Sequence, residues 1–188
     1  MISLSNVTAG YPGKIVLRDL TLSLPEQGAA AIMAPSGYGK TTLLRVLAGL
    51  LKPQSGTISG LENKKISFLF QEDRLLPWLT AEKNTAIVSS AEKARFWLQA
   101  MEIDDPGQYP HAMSGGMQRR VALARAMSFG GEVLLLDEPF KGLDEALRGR
   151  VAARIRDQFP LTVLSVHDQE EAALMGAGIL RLDQAQNE

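Results

Sequence analysis

An apolar run, Gly28-Ala29-Ala30-Ala31-Ile32-Met33, passes directly into Ala34-Pro35-Ser36-Gly37-Tyr38-Gly39-Lys40-Thr41-Thr42, and apolar residues then recur at helical spacing to residue 51. A strand with apolar side chains on both faces belongs inside a mainly parallel sheet. The turn after it is rich in small residues, so its backbone N–H groups can converge on one point, and the helix N-terminus adds its dipole. Such a turn is a cradle for phosphate. Gly37 and Gly39 permit close backbone approach and positive φ. Lys40 brings a charge to the β- and γ-phosphates, and the Thr41 hydroxyl is placed to ligate Mg²⁺. Pro35, Ser36, Tyr38 and Thr42 complete the loop. Ala34 stands where the full pattern asks for Gly, and its methyl fits only if φ is negative. The alternative is an ordinary glycine-rich βα turn, against which the Gly-Lys-Thr-Thr helix start argues.

The rest of the chain alternates strands and helices around this unit. Strands are expected at residues 2–5 and 20–24, on either side of a turn at 10–13, and again at 56–60 and 66–70. A helical pattern covers 80 to about 101, and Ser114 reads as the N-cap of a helix to 127. Strand 133–136, helix 145–158, strand 161–166, helix 169–175 and strand 178–182 follow. At 188 residues the chain fits one domain, with one helical subdomain at roughly 72–128. Twenty basic against twenty-one acidic residues leave a net charge of −1, which provides no electrostatic footprint for nucleic acid. Cysteine is absent, so disulfides and thiolate metal sites are excluded, in keeping with a reducing compartment. The N-terminus lacks a signal-peptide pattern. The apolar runs fall short of the ~20 residues that span a bilayer.

Two acids end an apolar strand in Val133-Leu134-Leu135-Leu136-Asp137-Glu138. Neighbours on a strand point to opposite sides, so the acids should work differently. Asp137 is placed to hold Mg²⁺ through its water shell, and Glu138 to orient an attacking water as general base. The competing reading is a helix cap or surface turn made by Asp-Glu-Pro. His167 and Gln71 each end a strand on the crevice side of a parallel sheet, where they are candidate γ-phosphate sensors.

Ser114-Gly115-Gly116-Met117-Gln118 adds a motif outside this phosphate chemistry, and with it the chain resembles the ATP-binding subunit of ATP-binding cassette (ABC) transporters over essentially its whole length. Tyr11 matches that family's adenine-stacking aromatic, and residues 34–42 its Walker A loop. Gln71 matches the Q-loop, Ser114–Gln118 the signature, Asp137 and Glu138 Walker B, Gly142-Leu143-Asp144 the D-loop, and His167 the switch histidine. The resemblance implies an α/β P-loop NTPase core with a mainly parallel sheet, an N-terminal antiparallel β part and a compact helical subdomain. It implies ATP as substrate, Mg²⁺ held by Thr41, Gln71 and Asp137, and catalytic roles for Glu138, His167 and Gln71. It further implies a head-to-tail pair of cassettes, a homodimer in the simplest case, in which Ser114, Gly115 and Gly116 reach the partner's ATP. Integral membrane permease subunits, and indirectly a periplasmic or extracellular solute-binding protein, are the other implied partners, at the cytoplasmic face of the cell membrane. The chain departs from the family pattern at Ala34, at Met113 in place of Leu, and at Lys141-Gly142 in place of a small pair. It is also short, and no appended regulatory domain is expected.

Gln71-Glu72-Asp73-Arg74-Leu75-Leu76-Pro77-Trp78 resembles importers of nitrate, sulfonates, taurine and similar solutes, and Tyr109-Pro110-His111 is similar to importers too. A lone Trp is more often core than contact, so Trp78 reads either as a core filler or as part of a surface meeting the membrane subunit. A soluble non-transport ABC ATPase and a nucleotide-sensing module are the alternative functions. The absence of a tandem cassette or a long coiled-coil insertion counts against the first, and Glu138, Gln71 and His167 together count against the second. If Tyr11 stacks on adenine, Tyr11→Ala weakens ATP binding by about 1–3 kcal/mol in calorimetry, while Tyr11→Phe leaves it unchanged. Equal losses in both variants would mean that the hydroxyl, not the ring, makes the contact.

Overall fold

The computed structural model describes residues 1–182. The chain opens on a hairpin of β1 (Ile2–Tyr11) and β2 (Lys14–Leu24), closed by a turn at Pro12 and Gly13. After β3 (Gly28–Met33) and helix α1 (Lys40–Leu47), β4 (Ser55–Ser59) joins the free side of β1 to complete a three-stranded antiparallel sheet. The second sheet contains β3, β5 (Ile66–Leu69), β6 (Val133–Asp137), β7 (Leu161–Val166) and β8 (Gly178–Arg181). Its strand order is β5-β6-β7-β3-β8, and every neighbouring pair is parallel.

The continuous apolar runs of these strands serve two cores. Ala30, Ile32, Val133, Leu135, Leu161 and Val163 face α1 and the antiparallel sheet. Their alternates, Ala31, Leu134, Leu136, Leu164 and Val166, face the opposite core, as the strand period of two requires. That second core is roofed by residues of α3 (Ala91–Ala100), α4 (Gly115–Phe129) and α5 (Glu145–Ile155). The short helices α2 (Ala81–Ala86) and α6 (Gln169–Leu174) complete the fold. Parallel strands end together, so the loops after Met33, Leu69, Asp137 and Val166 emerge on one edge of the sheet, the side where α/β folds bind ligands.

Three expectations are corrected. The helical pattern over 80–101 is two helices, not one: Ile87 closes α2 and Ser90 caps α3, its hydroxyl accepting from the Lys93 N–H at 3.2 Å. Serines compete for backbone hydrogen bonds and favour caps over helix interiors, so Ser89-Ser90 breaks a run that apolar periodicity alone would continue. Trp78 is not a core residue; it is 68% exposed. The strands expected at 2–5 and 20–24 also run much farther, as β1 and β2 pair up to the turn at Pro12 and Gly13; elsewhere the boundaries move by a few residues, with α1 starting at Lys40 because Gly39 is its N-cap.

Leu134 and Leu135 are adjacent and fully packed, but in different cores. Leu134→Ala and Leu135→Ala should each cost about 2–5 kcal/mol in urea unfolding. A loss confined to one of them would show that the other face of the sheet is not a packed core.

Candidate active site

Gly39 sets the geometry of the phosphate loop. Its φ is +92°, and a methyl there would lie 2.8 Å from Leu17 Cδ2 and 3.0 Å from Val16 Cγ1 of β2. The left-handed conformation therefore favours glycine here, and any side chain would also displace the tips of Leu17 and Val16. Ala34 lies outside the left-handed region, so its methyl is accommodated in place of the pattern's Gly. The Lys40 ammonium donates to the Ala34 carbonyl at 2.6 Å and the Pro35 carbonyl at 3.3 Å. Burial pushes the Lys40 pKa down, against the opposing pull of the Glu138 and Asp137 carboxylates. A buried ammonium held by carbonyls alone is poorly matched, and phosphate oxygens are better acceptors for it.

In front of this loop lies a cleft of about 280 Å³. Tyr11, Ser36, Gly37, Gly39, Lys40, Thr41, Thr42, Gln71 and Glu138, all expected from the sequence, line it. Lys14 and Val16 of β2 also line it; the only signal for them was their closeness to Tyr11. Tyr11 is partly exposed, and its hydroxyl accepts from Arg45 Nη1 of α1 at 2.9 Å. Pro35 and Tyr38 belong to the loop without lining the cleft, and Asp137 and His167 reach it only through their neighbour Glu138. Ser114, Gly115 and Gly116 are not among its lining residues. They start α4, where the Ser114 hydroxyl caps the Met117 N–H at 3.2 Å. A methyl on Gly116 would sit 3.1 Å from the Gly142 carbonyl oxygen, so the signature and D-loop motifs of one chain are in close contact.

The acids at the end of β6 are separated as their register requires. Asp137 is 1% exposed. Its Oδ1 accepts from the Ser165 hydroxyl at 2.8 Å, and Ser165 Oγ accepts the Glu138 N–H at 2.9 Å. Ser165 of β7 thus joins both acids, a role no sequence motif signals. Asp137 Oδ2 is buried without a hydrogen-bond partner among the described residues. An unpaired carboxylate oxygen is costly in a protein interior, and a hydrated hard cation is the chemistry that satisfies it. The residues therefore fit Mg²⁺.

Glu138 adopts φ +51°, a region costly for a non-glycine residue and concentrated at functional sites. Its Oε1 lies 3.3 Å from His167 Nε2 and its Oε2 lies 3.6 Å from Lys141 Nζ. Burial works to raise the Glu138 carboxyl, but hydrogen bonding from Gln71 and the charges of His167 and Lys141 together hold it below its ordinary value. The Lys141 departure therefore places a cation on the candidate base. Behind His167, buried Glu171 accepts the His167 N–H at 3.1 Å and pairs with Arg148 at 3.8 Å. Arg148 Nε in turn donates to the Leu143 carbonyl at 2.9 Å, so the loops carrying His167 and Asp144 share one support that sequence patterns did not reveal.

Replacing Ser165 by Ala would leave the Glu138 N–H and Asp137 Oδ1 without this partner. Each buried unsatisfied group costs about 1–3 kcal/mol, so Ser165→Ala should lower unfolding stability by at least that much and reduce ATP turnover. Wild-type stability and turnover together would remove Ser165 from the site.

Residues 17–141 match the ABC transporter family. The chain is 37% identical over 180 residues to the aliphatic sulfonates import ATP-binding protein SsuB 1 of Pseudomonas savastanoi pv. phaseolicola, covering 90% of this chain and 75% of that protein. It is 36% identical over 194 residues to the sulfate/thiosulfate import ATP-binding protein CysA of Synechocystis sp., covering 91% of this chain and 55% of that protein. Among solved structures, it is similar to a dimeric ATP-binding cassette in a post-hydrolysis state bound to ADP and Pi, with a TM-score of 0.85, 27% identity, and coverage of 97% of this chain and 94% of that one. With the phosphate loop, paired acids and signature in that family's arrangement, the chain belongs to the ABC transporter family, as an ATP-binding cassette with ATPase activity.

Proposed function

We propose that this chain is the ATP-hydrolysing subunit that energises solute import by an ABC transporter, acting as a head-to-tail pair of cassettes. The observation that carries the pairing is the half-built site: the cleft contains Tyr11, the phosphate loop, Gln71 and Glu138, but not Ser114, Gly115 or Gly116. A second copy, presenting its signature to the γ-phosphate, completes the donor set. The dimeric state of the similar cassettes supports this reading, and the import role named in the relatives supports the direction of transport.

In this mechanism the ring of Tyr11 stacks on adenine. The amides of residues 35–42 and the Lys40 ammonium bind the phosphates, with Lys40 exchanging the Ala34 and Pro35 carbonyls for phosphate oxygens. Mg²⁺, held by Thr41, Gln71 and Asp137, would offset charge on the β- and γ-phosphate oxygens. Glu138 orients the attacking water and accepts its proton. His167 and Gln71 register the γ-phosphate on either side of Glu138. Ser114 and Gly116 of the partner copy supply helix N-terminal donors.

Residues 1–188 form a single ATPase domain in this reading, with roughly 72–128 as a helical subdomain; the mutual packing of α2, α3 and α4 supports that division. Among the described residues no helix is long and apolar enough to cross a membrane, and permease subunits supply the span. The exposed Trp78 following Leu75-Leu76-Pro77 offers them a contact at the cytoplasmic face. A solute-binding protein engages only through those permeases, and nucleic acid has no part.

Glu138→Gln should bind ATP but stall hydrolysis, so ATP should hold two copies together in light scattering. Adding Ser114→Arg places bulk and charge in the shared site and should abolish the dimer while leaving monomer ATP affinity intact. A monomeric Glu138→Gln protein with ATP and the permease present, or equal dimerisation of the double variant, would sink the trans-site mechanism.

A further inference from the structure

Each carboxylate oxygen of Glu138 faces a nitrogen, and one of the two nitrogens belongs to Lys141. The Glu138 backbone is held at both ends. Its N–H donates to Ser165 Oγ at 2.9 Å, and its carbonyl accepts from Nη2 of Arg119 at 2.8 Å. Arg119, a buried residue of α4, donates through Nη1 to the Phe70 carbonyl at 2.7 Å. The side chain is less constrained, because the terminal torsion of a glutamate is broad and nearly two-fold. A partner on one oxygen lets the carboxylate swing about that torsion, whereas a partner on each oxygen fixes its plane. His167 Nε2 lies 3.3 Å from Oε1, and Lys141 Nζ lies 3.6 Å from Oε2. The turn after Glu138 carries Lys141 back to it. The Lys141 N–H donates to the Glu138 carbonyl at 3.3 Å, the Leu143 N–H donates to the Phe140 carbonyl at 3.1 Å, and Gly142 between them takes φ +76°.

We propose that Lys141 is a positioning residue: its ammonium, opposite His167, fixes the plane of the Glu138 carboxylate and with it the direction in which that group meets the attacking water. The inference rests on the reading of Glu138 as the general base. A carboxylate offers about four acceptor positions. With His167 and Lys141 each facing one oxygen, the positions that remain keep a constant direction toward the cleft that Glu138 lines. The Lys141 side chain is 61% exposed but that of Glu138 only 13%, so the acid end of the pair is shielded and the attraction is screened less than between two surface charges. Nζ stands beyond the roughly 2.7–2.9 Å of a charge-assisted hydrogen bond, so the restraint is electrostatic and its effect on the rate moderate. The small pair that the family pattern has at 141 and 142 offers no cation, so this chain adds a partner for the base to the family's set.

The test uses the full chain with K141M and K141R, each measured for thermal unfolding, ATP affinity by calorimetry, and steady-state kcat and KM. K141M keeps most of the side chain's length and removes its charge. Its kcat should fall about two- to fivefold, the range found for ion pairs with an exposed partner. KM, calorimetric affinity and the unfolding midpoint should stay near wild type. K141R restores a cation at the same place in the turn and should return kcat to near the wild-type value. A merely structural role would move the midpoint or the affinity and would not be rescued by charge. A wild-type kcat in K141M overturns the proposal, and so does a raised one, which would mean that the ammonium blocks the base instead of placing it. A kcat loss matched by an equal loss of ATP affinity, or one that K141R fails to rescue, overturns it as well. Glu138→Gln is the control for the base itself: wild-type turnover in that variant would strike the reading of Glu138 as the base, whatever Lys141 does, which separates the two failures.

Discussion

A parallel sheet buried on both faces leaves charged groups few places to work other than the ends of its strands. β6 and β7 are buried along their entire length, with alternate residues committed to two separate cores. The candidate active site accordingly lies at the edge where Met33, Leu69, Asp137 and Val166 end. Everything else in the molecule either covers the faces of that sheet or supports the loops leaving that edge.

At that edge, electrostatics is arranged by burial and a small number of hydrogen bonds. Asp137 is fully buried with one oxygen committed to Ser165 and the other unpaired among the described residues. Glu138, one residue on, turns through a left-handed conformation toward Gln71, His167 and Lys141. β6 ends at Asp137, and the turn at Glu138 aims the second acid into the cleft, so one carboxylate is buried and the other faces the cleft. Lys40 is held at the opposite side of the site by carbonyls that cannot match its charge, which favours its transfer to a phosphate.

The supports behind these groups differ in kind. Ser165 joins the two acids from the neighbouring strand, Glu171 of α6 and Arg148 of α5 brace the His167 and Leu143 backbones, and Arg119 binds two loops to the signature helix. The last joins the site to the start of α4, and the Arg148 support joins it to the loop at Leu143. The close approach of Gly116 to the Gly142 carbonyl places the signature beside the D-loop, so both motifs are linked to the cleft by the same set of hydrogen bonds.

Much of this was legible in the residues alone. The run 28–42 specifies a buried strand, a phosphate turn and a helix start, because close approach to phosphate requires glycine and amide donors whatever the surrounding fold. The apolar run ending in Asp137-Glu138 likewise predicts acids that point apart, and in the structure Asp137 is buried while Glu138, past the end of β6, lines the cleft. Sequence reasoning failed where apolar pattern alone was followed and where the deciding interaction was non-local. Apolar periodicity carried one helix through Ser89-Ser90, whereas capping by Ser90 splits it; Trp78 is exposed although its side chain is the kind cores favour. The roles of Ser165 and Arg119 were not legible, because they reach groups 27 to 49 residues away, and only the packing of the sheet and α4 brings those groups within hydrogen-bond distance.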